Sequence, residues 1–527
     1  MGSNGPQAYS GSSVLDVLPV KSELAWGIAT LAQLRLLHKS VVSRHYPASL
    51  SLVMFFSSLF FLFAGSVSAL RLPVQRRSPT TRSATVVVSN PNGISSTGFT
   101  DVGNGLYTAT IYLQGEPFQV QIDSGSSDLW INTMGYDLQG LTNTGENSTT
   151  SYGDGSVAEG PIVLGNITLG EFTVAGQALV TAPGSNATTA GADQGLLGIG
   201  LPMGSSIYQD LNGTSSNGLP FLQNVFSGLP DESKFVTLLL SRGALGDSEY
   251  AEGGALTIGE IVSNYTGILE TPKLPVFSSE GWITLLDGLT VNGVFHPGNS
   301  SGISPNEFGL PVQPAENQSL ALLDSGTSLA LVPRYYVDAM YKDLPGAVFL
   351  EEGGYYQVPC ETKVNISMVF SSISYPVHPL DSVIVDNVNT TGAVRCRGAF
   401  SALEDPLWTL GDTFMRNIYT LYYHGNAFLT DDNSTTPYIQ ILGITDADAA
   451  YAAYDELNAR RIAEDEYETF ASLYNVTSSM PLAAEPTYTY SLVDITAVPV
   501  STTGSASTAS VGGAVAEASA SVTSAAH

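Results

Sequence analysis

The sequence predicts an all-β protein with more than one core, on three observations. The 527-residue chain exceeds the roughly 250–300 residues at which a single hydrophobic core stops growing. Charged residues make up 13% against a usual share of roughly 25%, while Gly 53 and Pro 28, with abundant Ser and Thr, indicate many short strands and turns. From about Ser83 to Thr445, apolar segments of strand length alternate with Gly, Asn, Asp and Pro, as at Leu106–Leu113 and Phe118–Ile122 around Gly115-Glu116-Pro117.

The charge balance removes one class of partner. A formal net charge of -29 argues against nucleic-acid binding, which needs clustered Lys and Arg. Eight of the 19 basic residues precede residue 83, so 11 face 46 acids in the remainder. Such a surface repels itself at neutral pH and relaxes as carboxylates protonate, which suits an acidic workplace or serves solubility alone. His38, His45, His296, His378, His424 and His527 show no metal-ligand spacing, and no loop has an EF-hand pattern, so neither a metal nor any other cofactor is expected. No Gly-x-Ser-x-Gly elbow in a strand-to-helix setting is present for serine chemistry.

The N-terminus bears on compartment. Leu50–Phe63 is an apolar run of signal-peptide length, too short for a comfortable membrane span, and Val67-Ser68-Ala69 offers small residues for cleavage. The residues ahead of it are unusual for a signal peptide, so either translation starts at Met54 or the run is an atypical signal anchor. Eleven Asn-x-Ser/Thr sequons, at Asn147, Asn166, Asn186, Asn212, Asn264, Asn299, Asn317, Asn365, Asn389, Asn433 and Asn475, fit secretion. So do two cysteines, Cys360 and Cys396, which suit an oxidising compartment and one disulfide.

Four parts follow along the chain. Residues 1–69 are an N-terminal extension and signal peptide. Residues 70–82 are a short basic prosegment whose Arg76-Arg77 pair resembles a processing site. Residues 83–445 are the body, divided near 270. In 446–527, Tyr451, Tyr454 and Leu457 give a helical spacing over Asp446–Tyr474. Beyond it, residues 498–527 are nearly all Ser, Thr, Ala, Gly and Val, a composition that buries no core. No strongly apolar C-terminal run marks a glycolipid anchor.

The chemistry lies in an internal echo. Asp123-Ser124-Gly125-Ser126-Ser127 follows Phe118–Ile122, and Asp324-Ser325-Gly326-Thr327-Ser328 follows Leu320–Leu323. One Asp-Ser-Gly means nothing, but two copies, each at a strand end and one in each half, indicate a paired site. Glycine allows a tight turn that presses amide N–H groups against the carboxylate, and the hydroxyls of Ser126 and Thr327 can donate to its outer oxygen. Two carboxylates held together cannot both ionise comfortably, so they share a proton. One then acts as base toward a water and the other as acid toward a carbonyl oxygen.

At these residues the chain resembles the pepsin family of aspartic proteases, and secreted fungal members most closely, across roughly 350 residues. Asp128-Leu129-Trp130 extends the first signature, and Thr150–Ser156, with Tyr152, Gly153 and Asp154, resembles the family's flap hairpin. Leu196-Leu197-Gly198 and Thr409-Leu410-Gly411-Asp412 are similar to the segments that cross behind each catalytic loop, which gives Gly195, Gly198 and Gly200 a packing role and not a phosphate-binding one. Cys360 and Cys396 fall where the family's C-lobe disulfide lies.

The resemblance implies a bilobal pepsin-like fold with its cleft between two β-lobes. It implies an endopeptidase, acting as a monomer on peptides and proteins, with Asp123 and Asp324 catalytic and Ser124, Gly125, Ser126, Ser325, Gly326 and Thr327 supporting them. Tyr152 is expected to pack over the substrate with its hydroxyl near the Trp130 indole. Asp154 would face the residue before the cut and accept Lys there, unless it only caps its own turn.

Two departures stand out. No cysteines follow Trp130, so the loop 132–147 must be held without the small disulfide of many relatives, and the prosegment is shorter than in animal relatives. The alternative reading is a catalytically silent pepsin-like protein that binds peptides or the cell wall. Such proteins usually lose an aspartate, the flap tyrosine or a catalytic glycine, and all are present here.

Overall fold

A computed structural model describes residues 85–90, 93–102, 105–188, 193–213, 218–242, 250–252, 254–303, 314–388, 394–430, 435–474 and 497–499. The apolar run Leu50–Phe63, the Val67-Ser68-Ala69 triplet and the basic segment 70–82 lie outside the described residues, as does the tail 475–527 apart from 497–499. What is described is mostly strand with few helices, the all-β bilobal pepsin-like architecture expected.

The first half is a ten-stranded sheet that runs from Thr85–Asn90 at one edge to Thr142–Ser151 at the other. Its hairpin Tyr107–Leu113 to Glu116–Asp123 turns at Gln114-Gly115, both at positive φ (54° and 88°), with Leu113 opposite Glu116. This is the two-residue turn whose twist matches its strands. The sequence placed Gly115-Glu116-Pro117 between the strands, and of these only Gly115 lies in the turn. Pro117 instead lies near the start of the second strand, where its missing N–H is tolerated.

The second half has three sheets. The one that matters for the site contains Ile283–Leu286, Ser319–Leu323, Trp408–Leu410, Ala330–Pro333 and Phe400–Leu403. A further five-stranded sheet takes strands from both halves: Gly254–Ile258 and Phe235–Leu240 pair onward to Ile418–Tyr423, Tyr438–Gly443 and Leu274–Pro275. Through it one buried apolar cluster runs continuously from Tyr107 and Phe118 to Tyr422 and Ile441.

Two elements beyond residue 445 pair or pack with the body. The helix Ala447–Tyr474 is present, capped by the Asp446 carboxylate, which accepts from Ala449 N–H at 3.0 Å. It is docked on the body. Ala450 and Tyr454 are buried, the Tyr454 hydroxyl donates to Thr362 O (2.5 Å), Asn458 donates to Cys360 O (2.9 Å), and Arg461 donates to the carbonyls of Leu380 (3.0 Å) and Val383 (2.9 Å). Tyr454 is apolar in body and polar at its tip, so it can be buried only where a carbonyl receives it. Further on, Ala497–Pro499 forms a short strand antiparallel to Glu260–Val262, with Val498 opposite Ile261.

Candidate active site

The two Asp-Ser-Gly copies occupy equivalent places in equivalent three-strand units. In the first, Glu116–Asp123 leads into the loop, Leu129–Ile131 leaves it, and Gly195–Gly198 lies between, parallel to the first strand (Ile122 opposite Leu197) and antiparallel to the second (Trp130 opposite Leu196). In the second, Ser319–Leu323, Ala330–Pro333 and Trp408–Leu410 repeat that pattern, with Leu322 opposite Thr409 and Ala330 opposite Leu410. The crossing segments need small residues. A Cβ on Gly198 would collide with the Ser127 backbone, and one on Gly411 with the carbonyls of Thr327 and Leu329.

Each carboxylate is held the same way. Asp123 accepts from Gly125 N–H (2.7 Å) and Ser126 Oγ (2.5 Å), and Asp324 from Gly326 N–H (2.8 Å) and Thr327 Oγ1 (2.6 Å). The loops also hold each other. Ser124 N–H donates to Ser325 Oγ (3.1 Å) and Ser325 N–H to Ser124 Oγ (2.9 Å), while the two hydroxyls donate across to Leu323 O (2.8 Å) and Ile122 O (3.0 Å). Gly125 lies against the carboxylate of Asp324 and Gly326 against that of Asp123, so closely that a Cβ on either would overlap the opposite carboxyl.

The pair is buried, Asp123 at 2% and Asp324 at 0% exposure. Burial first, and then the charge of Asp123, push Asp324 well above the usual carboxylate range, and a hydrogen bond links the two carboxyls. Such a pair retains a proton where isolated carboxyls have lost theirs. It can therefore present a base and an acid to the same small molecule.

The expected flap is the hairpin from Thr142–Ser151 to Val157–Leu169. Tyr152 N–H donates to Ser156 O and Gly155 N–H to Tyr152 O, both at 2.9 Å, with Gly155 at a φ of 82°. The Tyr152 ring is buried in a cluster with Trp130, and its hydroxyl accepts from Trp130 Nε1–H, as the sequence led us to expect. Gly153 and Asp154 are exposed at the tip. One Asp154 oxygen accepts from Ser156 N–H (2.9 Å) and Ser156 Oγ (2.6 Å), the turn-capping geometry weighed for this residue.

The loop after Trp130 is held by polar and aromatic contacts. Asn132 Oδ1 accepts from Met134 N–H (3.1 Å) and Gly184 N–H (3.0 Å), the Tyr136 ring packs on Phe118 at 4.6 Å, and Gln194 donates to the Tyr136 hydroxyl at 2.7 Å. Cys360 and Cys396 are disulfide-bonded, with Cα atoms 5.0 Å apart.

Sequence reasoning missed several supports. Asp128 is buried and accepts from Ser205 Oγ (2.5 Å) and Ser206 N–H (2.9 Å); burial pushes its carboxyl up to about 6 against those hydrogen bonds. Its place five residues after Asp123 was a signal, but its partners lie near residue 205. Trp282 Nε1 donates to Ile199 O (3.1 Å), and Ile199 N–H to Asp123 O (2.8 Å). Nothing in the local sequence around Trp282 could show this.

Residues 106–429 match the eukaryotic aspartyl protease family. Among curated proteins, an aspartic protease of Phaffia rhodozyma is 27% identical over 350 residues, covering 62% of this chain and 76% of that protein. Major aspartyl peptidase 1 of Cryptococcus neoformans is 28% identical over 342 residues (59% and 65%), and cathepsin E of Mus musculus 26% over 348 residues (61% and 78%). The match spans more than half of the chain and includes both Asp-Ser-Gly loops, so the chain belongs to the eukaryotic aspartyl proteases of the pepsin family and is an aspartic-type endopeptidase.

Proposed function

We propose that this endopeptidase is secreted, works in acid, and hydrolyses peptide bonds with a water activated between Asp123 and Asp324. The observation that carries the reading is the reciprocal frame, in which four donors fix two buried carboxyls that touch each other. The ionised partner takes a proton from the water as it attacks the peptide carbonyl, and the protonated partner donates to the carbonyl oxygen. Aspartic proteases are the standard instance of such a shared-proton pair. Trp130 and Tyr152 support a flap that closes over the peptide and excludes water.

Secretion is supported by the sequons. The asparagines at 147, 166, 186, 212, 264, 299, 317 and 365, all eight that the structure describes, are exposed, as glycan attachment requires. The disulfide fits the same compartment. Acid operation is supported by the net charge of -29 and by a pair that needs one proton. Arg76-Arg77 would be the processing site, and the mature enzyme a monomer.

For specificity, the enzyme prefers bulky apolar residues on both sides of the cut and accepts Lys before it. Asp154 capping its own turn leaves its second oxygen for such a cation. An Asp154→Thr variant with an unchanged ratio of Lys-site to Phe-site cleavage in matched peptides would remove this part.

The test of the whole is digestion of a denatured protein across pH, with and without pepstatin, with cut sites read by mass spectrometry, beside purified Asp123→Asn and Asp324→Asn. Cleavage should be greatest below neutrality, blocked by pepstatin, and lower by at least about 10^4-fold in either variant with folding retained. A rate that peaks at pH 8, or near-normal turnover by either variant, overturns the reading.

A further inference from the structure

The frame that joins the two loops is nearly twofold, yet one side chain touches only half of it. Tyr422 lies in the strand Ile418–Tyr423 of the sheet shared by both halves and is fully buried. Its hydroxyl is 3.4 Å from Ser124 Oγ and 3.3 Å from Leu323 O, the donor and acceptor of one of the two crossed hydrogen bonds. Among the described residues no side chain does the same for Ser325 and Ile122. The Tyr422 ring packs on Trp282 at 5.0 Å, and Trp282 is tied through Ile199 to the carbonyl of Asp123.

We propose that Tyr422 is a positioning residue whose hydroxyl, donated into the Ser124–Leu323 side of the frame, makes the two carboxyls unequal and stabilises the singly ionised pair. This rests on the reading of Asp123 and Asp324 as the catalytic pair. A symmetric frame by itself would leave the shared proton equally at home on either carboxyl, whereas base and acid have different tasks. An O–H dipole that enters from one side polarises the Ser124 hydroxyl and favours negative charge beyond it.

The charged groups that act on that hydroxyl are Asp324, Asp412 and Asp123, all acidic, a setting in which the hydroxyl serves as donor. His424, two residues further and also against Trp282, is bonded through Nδ1 to Gln223 at 2.8 Å and is kept neutral by burial, which lowers it to about 3. It supplies no competing charge.

The test is Tyr422→Phe, which retains the ring against Trp282, beside Tyr419→Phe. Tyr419 is buried in the same strand but bonds Thr237 (2.9 Å) and Val262 N–H (3.0 Å), away from the pair. For Tyr422→Phe the expected results are a roughly three- to tenfold lower kcat with KM within about twofold, and an acid limb of the pH profile of kcat/KM moved upward by about half a unit with the alkaline limb nearly in place, because the carboxyl that ionises first has lost a donor. Tyr419→Phe should change thermal stability and neither limb. In a Ser124→Ala background, Tyr422→Phe should have a clearly smaller effect. An unmoved acid limb, a kcat within twofold of wild type, or the same loss with and without Ser124 would each overturn the proposal. Failure of the catalytic-pair reading is separable, since it would appear as retained turnover in Asp123→Asn.

Discussion

Gly125 N–H and Ser126 Oγ hold the oxygens of Asp123, and Gly326 N–H and Thr327 Oγ1 hold those of Asp324 with the same geometry. Around these matching loops the two halves diverge. The first half adds the hairpin that carries Tyr152, and Asp128, and its Gln121 reaches across to Gly326 O at 3.2 Å. The second adds the disulfide and the docked helix Ala447–Tyr474. The duplicated geometry brings two buried carboxyls together, and the unduplicated surroundings are where the two halves differ.

The sharpest way to break the comparison is at the two glycines. Gly125→Ala and Gly326→Ala each drive a methyl group into the opposite carboxyl, so each should lower kcat by at least about 100-fold. Steady-state kinetics on the two purified variants checks this, and near-normal turnover by one alone would show that the halves are not equivalent. Tyr152→Phe acts on the first half only. It removes the acceptor of the buried Trp130 N–H, and kcat/KM on peptides should fall about tenfold as that donor loses its partner.

In the second half, Cys360→Ser with Cys396→Ser opens a 36-residue separation, worth on the order of 3–4 kcal/mol by chain entropy. Thermal melts should show a lower Tm, while kcat/KM at 25 °C stays within about twofold, because Cys396 lies on the strand Val394–Gly398, outside the sheet whose strand Ser319–Leu323 leads into Asp324.

The smallest effect is a pH dependence of stability. Asp128 is raised to about 6 in the folded chain, against about 3.9 unfolded. Between those values the folded state holds a proton that the unfolded state has lost. The contribution therefore favours folding below about pH 4 and is lost as pH rises through about 6. Asp128→Asn abolishes it, so the difference between the Tm values at pH 4 and pH 7 should shrink by about 2–5 °C. An unchanged difference would mean that Asp128 titrates alike in both states.

How much of this was legible varies with distance along the chain. The Asp-Ser-Gly copies, the Trp130–Tyr152 contact, the disulfide and the helix over 447–474 were readable, because each is announced by a short motif, a resemblance or a period. The docking of that helix was not, since weak spacing at Tyr451, Tyr454 and Leu457 says nothing of the carbonyls of Thr362, Cys360 and Leu380 that receive Tyr454, Asn458 and Arg461. The strand after Gly115 was read two residues late because a proline near a strand's start reads as a turn residue until pairing shows otherwise.

By itself the sequence determined the chemistry, because carboxyl, glycine and hydroxyl at fixed short spacing can be held in few ways by one tight loop. Only the tertiary structure decided the asymmetry. Tyr422 stands 298 positions from Ser124, and no local pattern specifies which hydroxyl a strand shared by both halves will bring beneath one side of the frame. Contacts of that separation are set by how sheets pack, since a buried hydroxyl goes where a partner satisfies it.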